Sequence, residues 1–174
     1  SSGEKIQNKL KGKYAQAALS GNVFMGATLA AGVVIPFIDV NIVSTFTLHN
    51  PRTSGKAVHL LDLNIGFVPG GVTPLITGIG LAFQGPLLSN QPGTLTQSAG
   101  RTGTTLIGSG ATPKALLYTA ATLVNTVAQL SPVLWLYNNV ATAVITQQYT
   151  NYHFDGKIVL YPDSLCTVVN SKTG

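Results

Sequence analysis

From residue 22 onward the hydrophobic positions of the chain fall in short runs separated by clusters of Gly, Pro, Asn and Ser. Several runs alternate apolar with polar residues, the period of a strand with one buried face. Strands are predicted over 23–29, 33–38, 42–48, 57–67, 75–83, 104–107, 115–123, 133–137, 142–149, 157–161 and 165–169. Alternation is clearest where Leu61, Leu63, Ile65 and Phe67 take one face and Asp62, Asn64 and Gly66 the other. The segment 112–129 is more ambiguous. Ala115, Leu116, Tyr118, Ala120 and Leu123 fit a helix, but Tyr118-Thr119 and the run from Thr122 to Val127 are β-formers, and strand is the expectation.

Turn residues punctuate this pattern. Asn50-Pro51-Arg52-Thr53-Ser54-Gly55-Lys56 joins two strands through a Pro that cannot enter a sheet centre and a Gly free to take positive φ. Asp155-Gly156, between an aromatic run and Lys157-Ile158-Val159-Leu160-Tyr161, carries the signature of a tight hairpin. Pro162-Asp163 then reverses the chain into a final apolar strand, Leu165 to Val169. Many short strands without crossover helices predict an all-β fold, an antiparallel two-sheet β-sandwich of jelly-roll-like form, with the last strand inside a sheet. Within it Leu61, Leu63, Ile65, Phe67, Trp135, Ile158, Leu160, Leu165 and Val168 are the expected core. No internal repeat of 20 to 50 residues is present, which sets aside propellers and solenoids.

Residues 1–18 follow a different pattern and are expected to form an N-terminal arm, leaving 19–174 as the sandwich domain. Ile6, Leu10, Tyr14 and Ala17 recur at helical spacing with Lys5, Lys9, Lys11 and Lys13 between them. An isolated helix this short rarely persists alone, so a docked arm is the sharper reading and a frayed terminus the plainer one. The stretch from Lys9 to Ile38 superficially resembles a signal peptide, but Ser20-Gly21-Asn22 interrupts it. Its longest apolar run, Leu29 to Ile38, falls well short of the roughly 18 to 20 residues of a spanning helix. No membrane segment is expected.

Composition changes the picture in one respect. Only 15 of 174 residues are charged, against 20 Thr, 11 Ser, 11 Asn and 19 Gly, a surface chemistry that suits coverage by other subunits better than isolated solvation. The net charge of +5 hints at nucleic acid until the charges are located. The first 13 residues hold +3 and the remaining 161 only +2, while Arg52 and Arg101 lie far apart with no interleaved aromatics. No nucleic-acid partner is expected. Cys166 is the only cysteine and lies in an apolar run, where it reads as a small buried hydrophobe.

Catalytic patterns are incomplete. Gly55-Lys56 ends no P-loop, because positions 50 and 57 are Asn50 and Ala57. Gly78 and Gly80 lack the third small residue of a dinucleotide fingerprint, since Phe83 stands there. The histidines, His49, His59 and His153, are scattered. His153-Phe154-Asp155 has the local spacing of a metal pair, but Asp155 before Gly156 is explained by turn chemistry alone. His59 and Asp62, three apart on a strand, are expected on opposite faces. No catalytic residue, cofactor or metal is expected. Trp135 reads as core, and Tyr149, Tyr152 and Phe154 as a second aromatic cluster covering a sandwich end or a subunit contact.

The strand ending in His49-Asn50-Pro51, the Ser54-Gly55-Lys56 that opens the next, and Phe154-Asp155-Gly156-Lys157-Ile158-Val159-Leu160-Tyr161-Pro162 together resemble small jelly-roll virion proteins of tailed bacteriophages. The resemblance spans roughly 42–67 and 150–170 and rests on turn chemistry; it leaves the Gly-, Thr- and Ser-rich segment 86–113 unplaced. It implies a non-enzymatic structural protein, a trimeric capsid decoration or cement subunit at the virion surface, made in the host cytoplasm. Its expected partners are further copies of itself and a major capsid protein or other virion subunit. Ile6, Leu10 and Tyr14 would anchor the arm, with Lys5, Lys9, Lys11 and Lys13 steering it. The alternative is a carbohydrate- or receptor-binding sandwich of a head or tail fibre, with Trp135, Tyr149 or Tyr152 as stacking residues.

Overall fold

Period-two alternation in the sequence is accompanied by antiparallel pairing in every strand pair among the described residues. A computed structural model describes residues 12, 14–28, 43–44, 46–66, 75–85, 95–97, 102–122, 129–130, 135–139 and 149–170. The chain divides into two compact units, one of residues 1–27 with 99–113, the other of 28–98 with 114–174.

Among its described residues the first unit holds a short helix, α1 (Ala15–Leu19), and a two-stranded antiparallel sheet of β1 (Phe24–Gly26) and β7 (Thr102–Thr104). Thr105 N–H and its hydroxyl both donate to Val23 O, which extends the ladder by one step. Part of the 86–113 segment that the sequence pattern leaves unplaced is thus a β-partner for residues near the start of the chain. The expected strand 104–107 begins two residues earlier and turns after Thr104, with Gly108 and Gly110 at positive φ.

The second unit is built from two antiparallel sheets. The larger contains β2 (Val43–Ser44), β3 (Thr47–Asn50), β5 (Leu75–Gln84), β6 (Leu95–Gln97), β8 (Leu116–Thr122), β9 (Gln129–Leu130), β10 (Trp135–Asn139) and β12 (Ser164–Asn170). Its order is β10-β5-β12-β3-β8-β2, with β6 also on β8 and β9 on β5. The smaller is a long ribbon of β4 (Val58–Gly66) and β11 (Tyr149–Leu160). The segment 116–122 is strand, as its β-formers indicated. The expected strand 33–38, most of 142–149, Phe67 and the side chain of Trp135 lie outside the described residues.

A core fills the space between ribbon and sheet. Ile79, Leu81, Cys166 and Val168 from β5 and β12 meet Phe154 and Leu160 from β11, with Phe46, Leu48, Val58, Leu60, Leu63, Ile65, Phe83 and Ile158 packed around them. Each fully buried aliphatic or aromatic side chain in such a cluster contributes about 1.5 to 3 kcal/mol. Of the expected core, Leu160, Leu165 and Val168 are buried, whereas Leu61, Leu63, Ile65 and Ile158 are half-buried.

β12 lies between β3 and β5, inside the sheet as its apolar run predicted, and every residue from Leu165 to Asn170 is buried. Both of its faces are covered. The face turned from the ribbon carries Leu165, Thr167 and Val169 beside Ala82, Gln84, Thr47, His49 and Tyr118, all buried. Continuous burial explains why the strand reads as an unbroken apolar run and not an alternating one. The Cys166 thiol is pushed up to about 12 by that burial, so it is held as the unreactive thiol.

Two turns cross between ribbon and sheet at one end, and a single side chain ties them. After β3 the chain enters a 3-10 turn, Arg52–Ser54, that Pro51 introduces and Gly55 ends with φ of 62°. Asn50, fully buried, donates its amide Nδ2–H groups to Lys56 O at 2.7 Å and to Leu160 O at 2.9 Å. Its own carbonyl accepts from Asp163 N–H at 2.8 Å in the turn that follows β11. Arg52 closes the corner from outside, with Nη2 at 2.6 Å from Asp163 Oδ2.

Asn50→Ala removes two hydrogen bonds and takes the side-chain donor from the buried bond to Leu160 O, while Lys56 O keeps the Ser54 hydroxyl, and should cost about 2 to 3 kcal/mol in urea unfolding. Arg52→Ala, whose side chain is half-exposed, should cost well under half of that in the same measurement.

Candidate functional site

The richest exposed set of polar and aromatic side chains lies on the outer face of the ribbon. β11 pairs with β4 in the register Tyr149↔Gly66, Asn151↔Asn64 and His153↔Asp62, so these six positions share the face turned from the core. The aromatic cluster splits accordingly. Tyr152 and Phe154 lie on the inner side with ring centroids 4.9 Å apart, Phe154 buried in the core and Tyr152 at its rim. Tyr149 lies alone on the outer side, 67% exposed. Its hydroxyl donates to Asn64 Oδ1 at 2.7 Å, which lays the ring diagonally toward the neighbouring strand. Four residues along β11, His153 Nδ1–H donates to Asp62 Oδ1 at 2.5 Å in an exposed hydrogen bond.

Beyond His153 the pairing shifts. Phe154 to Lys157 are inserted opposite Leu61 alone before Ile158 pairs with Leu60. Asp155 and Gly156 both take positive φ, 54° and 75°. The hairpin expected there is therefore corrected: the left-handed pair forms a bulge inside one continuous strand, and β4 pairs with β11 on both sides of it. The partner strand adjusts as well. Leu60 and Leu61 are both half-buried, so the alternation changes phase between them. That phase change overturns a second expectation: His59 and Asp62 are both exposed, not on opposite faces. His59 Nδ1–H donates to Gly156 O at 3.2 Å and pins the bulge. Asp155 thus serves the turn chemistry that the sequence suggested. Among the described residues no three His, Cys, Asp or Glu side chains come together as a metal-binding group.

His49 is the buried histidine, 1% exposed, in the row Gln84–Leu165–His49–Leu116 on the sheet face turned from the ribbon. Among the described residues neither ring nitrogen finds a hydrogen-bond partner, and the Tyr118 ring lies 6.2 Å away. Its pKa is lowered from 6.5 by desolvation, against a weaker upward pull from Asp163. A His before a turn gave no sign of this in the sequence; the burial comes from the long-range pairing of β3 with β8 and β12.

Of the arm's expected anchors and lysines, only Tyr14 lies within the described part, half-buried at the start of α1. Ile6, Leu10, Lys5, Lys9, Lys11 and Lys13 lie outside it. The first unit has another property that composition did not localise. Among its residues whose burial is described, Gly21 alone is buried, while Leu19, Phe24, Met25 and Ile107 are exposed, Ile107 by 81%. No helix among the described residues is long and apolar enough to cross a membrane. No family model, no curated protein and no solved structure matches this chain.

Folding stability should fall as pH drops below about 6.5. There the unfolded chain takes up a proton at position 49 that the folded chain resists, and the loss continues until the lower folded-state pKa is reached. Guanidinium unfolding of the protein and of His49→Leu at pH 7 and pH 5 checks this, and the variant should show the smaller decrease. Gly156→Ala should cost about 1 to 2 kcal/mol in the same assay, since a Cβ at φ of 75° is strained, while the space beside His59 would take it in ordinary contact.

Proposed function

We propose that this chain is a non-enzymatic structural protein of a bacteriophage virion, a jelly-roll-like subunit that associates as a trimer and seats on the head as a decoration or cement protein. The observation that carries the reading is the first unit. Among its residues whose burial is described, Gly21 alone is buried while Leu19, Phe24, Met25 and Ile107 stand in solvent, an apolar exposure that a covering partner would relieve. Scarcity of charge supports it, since Thr, Asn and apolar side chains can be enclosed by neighbours without ionic desolvation. So does the resemblance of the 42–67 and 150–170 segments to small virion proteins. In this reading residues 1–18 attach the subunit: Ile6, Leu10 and Tyr14 seat in an apolar groove of the capsid protein, and the four lysines steer the approach.

Sedimentation equilibrium at micromolar protein should give a trimer whose stability changes little from low to high salt, because few ion pairs hold it. Removal of residues 1–18 should leave the thermal transition unchanged and abolish occupancy on particles stripped of the native protein. A salt-independent monomer would overturn the assembly reading, and full occupancy by the truncated chain would overturn the role of the arm.

A further inference from the structure

We infer that the outer face of the ribbon is a binding strip for a neutral oligosaccharide, with Tyr149 as its stacking platform and Asn64, Asn151, Asp62 and His153 as its hydroxyl-reading groups. This site is independent of the virion reading: it concerns what the ribbon holds, wherever the protein is found.

The argument starts from the cross-strand pairs. Alternate residues on a strand stand about 6.6 Å apart, so Tyr149, Asn151 and His153 form a row of about 13 Å alongside Gly66, Asn64 and Asp62. At one end a large ring is opposite a glycine. Among the described residues a Cβ built on Gly66 meets nothing within 4 Å, and Tyr149 is 67% exposed. The ring is also held in place, because its hydroxyl is committed to Asn64 Oδ1. An exposed aromatic that is already oriented loses little side-chain freedom when a flat, apolar surface such as the C–H face of a pyranose settles on it.

The polar groups beyond the ring are partly satisfied by one another and partly turned outward. With Asn64 Oδ1 engaged by tyrosine, its Nδ2–H groups remain as donors; with Asp62 Oδ1 engaged by His153, Asp62 Oδ2 remains as an acceptor. His153 donates from Nδ1 and leaves Nε2 as an acceptor in its neutral form. Neither amide nor carboxylate makes any other hydrogen bond among the described residues. The row therefore presents an amide donor beside two acceptors, which suits vicinal hydroxyls, each of them both donor and acceptor. Charge decides the ligand class. The row contains one carboxylate, already paired, and no lysine or arginine, so it offers nothing to a phosphate, sulfate or sialic acid and excludes no neutral sugar. A strip this shallow binds weakly per site, and copies held together in an assembly would raise the effective affinity.

The test screens the full chain on an array of neutral malto-, cello-, manno- and galacto-oligosaccharides and titrates the best of them by NMR. Retention of a neutral oligosaccharide is expected, with Tyr149→Ala weakening it by about tenfold or more and Tyr149→Phe, which keeps the ring, by about threefold. Tyr161→Ala, at a tyrosine 72% exposed but outside the strip, should leave binding unchanged. Unaltered thermal transitions show that the variants fold. The proposal is overturned if the protein retains no oligosaccharide, or if Tyr149→Ala and Tyr161→Ala weaken binding equally. It is also overturned if Tyr149→Ala lowers the oligomeric state, which would make the strip a contact between copies.

Discussion

Everything in the second unit hangs on the way a buried amide joins two sheets. Asn50 ends β3 in the large sheet, yet its side chain is bonded to Lys56 O at the start of the ribbon and to Leu160 O at the ribbon's other strand. The same residue's carbonyl holds the turn that leads back into β12. Both turns that cross between the layers at this end are therefore fixed by one residue with 0% exposure. The buried Leu160 O would otherwise lose its side-chain donor, at a desolvation cost comparable to a lost hydrogen bond. With the corner closed, the ribbon keeps its inner face on Ile79, Leu81, Cys166 and Val168, and its outer face is left for solvent or a partner.

The bulge has a comparable role at the middle of the ribbon. Four residues of β11 stand against Leu61, and without an adjustment in β4 the strands beyond that point could not present matched faces. The change of phase between Leu60 and Leu61 restores the match, so Leu160 and Ile158 still point inward with Val58 and Leu60. It also moves His59 to the outer face, where it holds Gly156. A local irregularity in one strand thus requires a compensating one in its neighbour.

Much of this fold is legible in the residues. Apolar runs locate most of the described strands, Pro51 and Gly55 mark a turn for the backbone reasons that the structure displays, and the unbroken run from Leu165 to Val169 announces a strand buried on both faces. What escapes the sequence is non-local. Asp-Gly supplies two positive-φ residues equally well to a hairpin or to a bulge, and only the length of β4 decides between them. The pairing of Phe24–Gly26 with Thr102–Thr104 has no hydrophobic pattern to reveal it, being short and rich in Gly and Thr. Of the ribbon's outer strip, the sequence offers Tyr149 as an aromatic, but not the Asn64 that orients it or the Asp62 that meets His153, because both depend on cross-strand register.

The position of β12 sets the order in which the molecule can be completed during synthesis. Thr47 and Thr167, joined by a hydroxyl hydrogen bond in the middle of the sheet, are 120 residues apart in sequence. Until β12 leaves the ribosome, β3 and β5 each lack the neighbour that separates them in the finished sheet. Their open edges and the apolar faces of Ile79 and Leu81 are then exposed together, for the time that translation takes to cover that interval. Sheet closure is consequently a late event in the life of the nascent chain, slow by its contact order, and nascent chains emerging side by side on one message are the setting in which strand exchange between copies competes with it.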